Sequence, residues 1–292
     1  MSLPFYIVDV FSEQKYAGNQ LAVFRHVDHL STEEMQRIAK EMNYSETTFI
    51  TSEIPQDGGY SVRIFTPHQE LPFAGHPTLG TAFVLQQEII KQSVETVILN
   101  LKVGQIPVKL NYKNDAIDRL WMRQNPPTFG QRFSPSAIAP ILNLDLDQIA
   151  EGAIEEVSTG VPFIIVPLKN LTALKQAKVN QERFFKLIET TEAKAILIFC
   201  PETRHEQNHL SVRMFGDGLG IPEDPATGSA NGCLAGYLVQ HSYFDRDEID
   251  LRVEQGYEIG RPSLLLLKAK RTETIQVEVG GKVILVARGE FV

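Results

Sequence analysis

The sequence predicts a mixed α/β or α+β fold made of two similar halves. Strand-like and helix-like segments alternate along the chain, the two halves contain them in the same order, and short motifs recur at matching places. With 292 residues, of which 43% are hydrophobic, the chain is large enough for two domains that each have a core.

The order of elements is the first observation. In the first half, strands are predicted over residues 5–11, 21–24, 47–51 and 60–66. Ser31 and Glu34 have the spacing of a capping box, which predicts a helix between the second and third of these strands. The second half repeats this order, with strands over 163–166, 195–200 and 210–215 and a helix over 181–189.

The recurring motifs indicate an internal duplication. Arg63-Ile64-Phe65 precedes a loop that contains Ala74-Gly75-His76, and Arg213-Met214-Phe215 precedes a loop that contains Thr227-Gly228-Ser229. The reuse of similar turns in α/β chains is the alternative explanation. The Pro- and Ser-rich segment 125–140 is predicted to connect the halves. We place the domains at residues 1–118 and 119–282.

Composition excludes several classes of function. The formal net charge is -8 and no Lys/Arg-rich run occurs, so nucleic acid is not an expected partner. No segment approaches the roughly 20 apolar residues of a membrane span, and the start lacks the pattern of a signal peptide, so we expect a cytoplasmic protein. The two cysteines, the histidines and the carboxylates lack metal-ligand spacing, and no metal site is predicted.

Two glycine-containing loops lead into apolar helices, which are predicted over 78–85 and 230–239. The first helix-opening loop, residues 70–80, contains Gly75, His76 and Pro77; the second, residues 223–232, contains Asp224, Thr227, Gly228, Ser229 and Ala230. Free backbone N–H groups and the helix dipole at such a start favour a bound carboxylate or phosphate. Either loop alone is an ordinary helix cap, but the two together, with His76 and Ser229 at matching places, indicate a binding site.

Two carboxylates are candidates for chemistry. Glu46 follows a predicted helix and precedes a predicted strand. From the local sequence alone, a solvated side chain is the simpler interpretation, and a catalytic role requires partial burial that raises the pKa toward neutrality. Asp224 is suited to hold a substrate amine or to orient His76, or it is a turn residue before Pro225.

At these positions the sequence resembles the PhzF-like isomerases of phenazine biosynthesis, within the diaminopimelate-epimerase fold. Five segments carry the resemblance: 5–11 with Gly18-Asn19, 45–49, 63–66, 74–78 and 223–230. The resemblance implies two domains, each a barrel-like mixed sheet wrapped around a central helix, with the helix-opening loops facing one another across a cleft. It also implies that a C-terminal strand, about 283–292, returns to the first domain.

The resemblance implies roles for individual residues. Glu46 becomes the catalytic acid/base, and the substrate-binding groups are Gly75, His76, Pro77, Asp224, Thr227, Gly228, Ser229 and Ala230. Related epimerases use one cysteine on each loop, whereas this sequence has His76 and Ser229 there. A two-thiol racemisation is therefore disfavoured, and proton transfer by one carboxyl group is favoured.

We therefore expect an isomerase that acts on a small carboxylate substrate without a metal or other cofactor, in a homodimer. A proton next to a conjugated system becomes acidic when the developing charge is stabilised, and a positioned glutamate can then remove and return it. Two alternatives stay open: an epimerase or racemase of an amino or hydroxy acid, and a non-catalytic protein that binds small carboxylates.

Overall fold

The structure is a computed structural model in which residues 2–292 are described. Its strands are β1 (Leu3–Val10), β2 (Asn19–Phe24), β3 (Glu46–Ile50), β4 (Tyr60–Phe65), β5 (Glu70–Leu71), β6 (Thr96–Leu101), β7 (Gly104–Lys113), β8 (Ala116–Gln124), β9 (Thr128–Phe133), β10 (Ile154–Ser158), β11 (Pro162–Pro167), β12 (Ile196–Cys200), β13 (Leu210–Gly216), β14 (Ile221–Asp224), β15 (Glu248–Gln255), β16 (Ser263–Arg271), β17 (Ile275–Gly281) and β18 (Val283–Phe291). Its α-helices are α1 (Thr32–Met42), α2 (Gly75–Val84), α3 (Pro135–Ile138), α4 (Leu171–Gln176), α5 (Gln181–Ile188) and α6 (Gly228–Gln240). A π-helical segment, Leu85–Ile90, continues α2.

The chain divides into two compact units. Unit 1 comprises the residues up to Arg123 together with Gly280–Val292, and unit 2 comprises Gln124–Val279. The C-terminal strand β18 lies in unit 1, where it pairs antiparallel with β1, as the resemblance implied. Within residues 2–292, no helix is both long enough and apolar enough to cross a membrane.

The segment 125–140 is not a connector, and this prediction is wrong. It contains β9, which pairs antiparallel with β10 in unit 2, and the short helix α3. A β-bulge in β9 lies between Phe129 and Phe133, so these two half-buried side chains lie on opposite faces of the strand. Phe133 packs against a buried apolar cluster of unit 2, and the ring of Phe129 lies edge-on to that of His241, which explains why a Pro-rich segment forms a strand here. In addition, β8 runs across the domain boundary placed after residue 118.

The two units have the same order and direction of strand pairing. In unit 1, β2 pairs parallel with β3, β3 antiparallel with β4, and β4 parallel with β6. In unit 2, β11 and β12, β12 and β13, and β13 and β15 pair in the same three directions. The internal repeat predicted from the motifs is therefore present in the fold.

Each unit packs an apolar helix against its own strands. The helix α2 contacts β1, β2, β3, β6 and β7, and α6 contacts β10, β11, β15 and β16. Both helices are buried along almost their whole length, which is typical of a helix that is apolar on all sides. Gly80 permits this packing, because a Cβ at this position would lie 2.5 Å from a Leu21 methyl group.

An ion pair recurs at the base of each helix-opening loop. Arg63 donates to both carboxylate oxygens of Glu70, at 2.8 and 2.7 Å, and Arg213 donates to both oxygens of Glu223, at 2.9 and 2.8 Å. Bidentate charge-assisted hydrogen bonds of this kind fix geometry as well as adding stability. The guanidinium of Arg63 holds the pKa of Glu70 below its usual value. Each pair fixes the strand, β5 or β14, that leads into the loop.

Candidate active site

The carboxylate of Glu46 lies beside the imidazole of His76 in unit 1. The distance from Oε2 of Glu46 to Nε2 of His76 is 3.4 Å, and the two side chains are 12% and 6% exposed. Glu46 is thus partly buried and not the solvated glutamate that its local sequence suggested.

Glu46 is positioned by the end of one helix and the start of one strand. Asn43 ends α1 in the left-handed conformation, with φ 53°, which asparagine tolerates better than most residues. The chain then enters β3, where Glu46 is the first residue and pairs with Leu21 of the parallel strand β2. The four residues that follow Glu46 in β3 are buried, so the strand anchors the carboxylate at its end.

His76 is positioned by the first turn of α2. Gly75, His76 and Pro77 are all buried there. Ala74, which precedes the helix, has no polar side chain that could cap it, and the Thr78 hydroxyl donates to the Ala74 carbonyl at 2.7 Å. Pro77 lacks an N–H group, so the helix start loses no hydrogen bond at that position. The turn leaves backbone N–H groups at the helix start, next to the imidazole.

His76 is neutral over the ordinary pH range. Burial lowers the pKa of His76 to about 3, and the nearby backbone of Gln20 opposes this shift only in part. The distance to Glu46 is within the range of an ion pair, but a neutral imidazole forms none. The contact is therefore one between a carboxyl group and a neutral ring.

The buried imidazole predicts a pH-dependent loss of stability. Below pH 6.5 the unfolded chain binds a proton at His76 that the folded chain does not bind, so this contribution is present above pH 6.5 and is lost as the pH falls toward 3. We expect the wild type to lose about 2 kcal/mol more than a His76→Gln variant between pH 7 and pH 5. Urea denaturation at both pH values measures this difference, and parallel losses in the two proteins would contradict the prediction.

The second helix-opening loop places its polar groups together in unit 2. Asp224 ends β14 and is buried, and the hydroxyl of Thr227 donates to its Oδ2. Thr227 is the residue that immediately precedes α6, a position from which a hydroxyl often caps the helix. Here the Thr227 hydroxyl bonds to the carboxylate of Asp224 and not to the helix N–H groups. Gly228 and Ala230 are buried in the first turn of α6, and Ser229 between them is half-buried.

Two residues that hold this loop were not found from the sequence. The side chains of Gln255, in β15, and Asn231, in α6, hydrogen-bond to each other at 2.9 Å and to the loop. A glutamine at the end of a strand gives no local sequence signal of such a role. The neighbouring Gly256, with φ +79°, is the one feature that indicates a close approach of backbone at this point.

Both cysteines are buried and free. Burial raises the pKa of Cys200 to about 11 and that of Cys233 also to about 11. Neither thiol is therefore ionised near neutral pH. In addition, residues 2–292 contain no group of three or more His, Cys, Asp or Glu side chains arranged to hold a metal ion.

Comparisons with known proteins match nearly the whole chain. The pattern of the phenazine biosynthesis-like proteins (PhzC-PhzF) matches residues 8–289. A trans-2,3-dihydro-3-hydroxyanthranilate isomerase of Pseudomonas aeruginosa is 34% identical over 279 residues, which cover 94% of this chain and 95% of that protein. An uncharacterized isomerase of Pasteurella multocida is 35% identical over 294 residues, which cover 98% of this chain and 93% of that protein.

Solved structures show the same likeness. The Bacillus anthracis phenazine biosynthesis protein of the PhzF family superposes with a TM-score of 0.91 at 29% identity, covering 100% of this chain and 99% of that one. A probable proline racemase of Agrobacterium radiobacter K84 shares the fold, with a TM-score of 0.65 at 10% identity, covering 99% of this chain and 93% of that one.

The mixed α/β fold is thus one that PhzF-like proteins share with racemases. The chain belongs to the PhzC-PhzF family of phenazine biosynthesis-like proteins, and it is an isomerase of that family.

Proposed function

We propose that this protein is a cofactor-independent isomerase that moves a proton on a small carboxylate substrate, with Glu46 as the general acid/base. The observation that carries the proposal is the partly buried carboxyl group of Glu46, 3.4 Å from the neutral, buried ring of His76. Partial burial is the condition under which a glutamate can both remove and return a proton near neutral pH.

The proposed step shifts one double bond and involves no net oxidation. The Glu46 carboxylate removes a proton from a carbon next to a conjugated system, and the electron pair moves along that system. The resulting carboxylic acid returns a proton to the far end, so the overall composition of the substrate is unchanged. A single carboxyl group that serves both ends requires both events to occur on one face of the substrate.

A neutral His76 suits this cycle. An imidazolium at the same distance would favour ionised Glu46 and oppose its protonated form. The neutral ring adds no fixed charge, so the carboxyl group is able to alternate between its two forms. The buried surroundings also exclude water from the pair, which strengthens the electrostatic effect of nearby dipoles.

The helix-opening loops supply the proposed substrate contacts. In unit 1, the N–H groups at the start of α2 near Gly75 and His76 suit a carboxylate. In unit 2, Ser229 and the N–H groups of the first turn of α6 suit a second polar group, and Asp224 suits a substrate amine. The relative from Pseudomonas aeruginosa is named for trans-2,3-dihydro-3-hydroxyanthranilate, which carries both a carboxylate and an amine, so this compound is the substrate that we propose to test.

The test is turnover in D₂O, followed by NMR of the ring protons of trans-2,3-dihydro-3-hydroxyanthranilate. We expect the substrate signals to disappear with uptake of deuterium at the carbon that receives the proton. A product of inverted configuration would instead support an epimerase. Binding without any exchange would support a carboxylate-binding protein and would overturn the proposal.

The proposed carboxyl mechanism and a two-thiol mechanism predict different responses to alkylation of the cysteines. Because the pKa of each thiol is raised by burial, iodoacetamide at pH 7.5 is expected to leave Cys233 unmodified and the isomerase rate unchanged within about twofold. Mass spectrometry of the treated protein, with the rate measured in parallel, checks both statements. Modification of Cys233 together with loss of activity would indicate that a thiol takes part in the reaction.

The assembly and location of the protein stay predictions. A homodimer is expected from the resemblance, and a cytoplasmic location from the sequence. Light scattering of the purified protein would measure the mass in solution against the 32.8 kDa of one chain.

A further inference from the structure

One buried glutamine holds the second helix-opening loop. Gln255 ends β15 and is 1% exposed. Its Oε1 accepts from the backbone N–H of Thr227 at 3.2 Å and from the side-chain amide of Asn231 at 2.9 Å. Its Nε2 donates to the carbonyl of Asp224 at 2.9 Å and to the hydroxyl of Thr227 at 3.2 Å. An amide has two donor hydrogens and two acceptor lone pairs, so the hydrogen-bonding capacity of Gln255 is fully used by this loop and helix.

These partners fix the direction of every hydrogen bond. The carbonyl of Asp224 can only accept and the N–H of Thr227 can only donate, so the amide of Gln255 cannot be reversed. Because the Thr227 hydroxyl accepts from Gln255, its own hydrogen is available for the Oδ2 of Asp224. A line of hydrogen bonds therefore runs from Gln255 through Thr227 to the carboxylate.

The backbone after Gln255 also lies directly against the loop. Gly256 has φ +79°, and a Cβ at this position would lie 2.5 Å from the carbonyl oxygen of Pro225 and 2.3 Å from that of Arg261. Only glycine fits such a conformation and such an approach. The segment 255–256 thus supports the loop through both a side chain and the backbone.

The internal repeat shows what the loop needs in order to form. The registers of β4 on β6 and of β13 on β15 make Leu101 the unit 1 counterpart of Gln255. Ala74 precedes α2 as Thr227 precedes α6. The polar pair of unit 2 thus corresponds to an apolar pair in unit 1, although both units form the same loop and helix start.

The carboxylate of Asp224 also has an apolar counterpart in unit 1. Leu71 pairs with β4 where Asp224 pairs with β13. The hydroxyl and the amide are therefore present in the unit that has the carboxylate, and both are replaced by apolar residues in the unit that does not. Since unit 1 forms its loop without them, the hydroxyl and the amide are not required for a loop of this kind, and their occurrence together with the carboxylate indicates that they hold it.

We propose that Gln255 is a positioning residue that holds the Thr227 hydroxyl toward Asp224 and so fixes the carboxylate that binds the substrate amine. This inference rests on the proposed function. Gln255 lies beneath the loop, fully buried, so it acts through Thr227 and does not touch the substrate.

The unit 1 sequence supplies the variant that separates positioning from folding. Gln255→Leu removes the amide alone. A triple variant, Thr227→Ala with Asn231→Thr and Gln255→Leu, copies the residues that unit 1 has at the three places, Ala74, Thr78 and Leu101. The Thr78 hydroxyl donates to the carbonyl before α2 as the Asn231 amide donates to the carbonyl before α6, at 2.7 and 3.0 Å, so this support of the helix start is retained. Gln207→Leu, at an exposed glutamine, is the control.

We expect Gln255→Leu to raise KM for trans-2,3-dihydro-3-hydroxyanthranilate about tenfold or more, with a smaller change in kcat, because Glu46 is untouched. The triple variant should recover the thermal midpoint of the wild type to within about 5 °C while its KM stays raised. The control should leave KM and the midpoint unchanged. A merely structural role would lower the folded fraction, and hence kcat, without changing KM.

Several results would overturn the inference. A wild-type KM in Gln255→Leu would do so, and so would a triple variant in which KM returns together with the midpoint. A triple variant that does not fold would contradict the statement that the loop forms without the polar pair. If the wild type itself does not turn over the substrate, the proposed function falls and this inference with it; turnover by the wild type with unchanged KM in the variants overturns the inference alone.

Discussion

Replacing Glu46 with glutamine is expected to lower kcat for isomerisation by about 10²- to 10⁴-fold. The amide cannot accept the proton from the substrate carbon and has no acidic proton to return, so both halves of the proposed step are lost. The side chain keeps nearly the same volume and can still lie beside the ring of His76, which is 3.4 Å away. We therefore expect KM to change far less than kcat, since the helix-opening loops are unaltered.

The measurement is the initial rate in D₂O together with deuterium uptake by the substrate. Glu41→Gln is a matched control, because Glu41 is a solvent-exposed glutamate near the end of α1, five residues before Glu46. Unchanged circular dichroism and thermal midpoints would show that both variants are folded. A Glu46→Gln variant that keeps more than about a tenth of the wild-type rate would exclude Glu46 as the acid/base.

Local signals in the sequence predicted those parts of the fold that depend on neighbouring residues. The capping box of Ser31 and Glu34 is present at the start of α1, with both of its hydrogen bonds, because such a cap involves residues three apart. The helices after the two loops begin at Gly75 and Gly228, earlier than predicted, because glycine and proline are compatible with a first helical turn.

Features that depend on distant parts of the chain were harder to predict. The partial burial of Glu46 results from the pairing of its strand with β2 at Leu21 and from the packing of α2, and neither of these is adjacent to Glu46 in sequence. The neutral state of His76 likewise follows from burial by several strands. Gln255 lies more than 20 residues from the loop that it holds, so no spacing rule applies to it. The internal repeat was the exception, since several motifs in register carried long-range information.

The largest loss of stability is expected from removal of one of the two repeated arginine–glutamate ion pairs. In both units an arginine forms a bidentate pair with a glutamate, but the side chain of Arg213 is 8% exposed and that of Arg63 is 27% exposed. Arg213 also donates to the carbonyls of Leu174 and Ala177, at 2.9 and 2.8 Å, at the end of α4. Removal of Arg213 therefore leaves a carboxylate and two carbonyl groups in a buried place without their donor.

We expect Arg213→Met to lower the free energy of unfolding by about 3–5 kcal/mol, because breaking a buried ion pair leaves the remaining charge uncompensated. Arg63→Met should cost about 1–2 kcal/mol, since Glu70 keeps its ion pair with Lys102 at 2.6 Å and the site is more exposed. Urea denaturation of both variants at pH 7 gives the two values. Equal losses would show that burial does not distinguish the two ion pairs. A larger loss for Arg213→Met would show that the same ion pair contributes more to stability in unit 2, where it is more deeply buried.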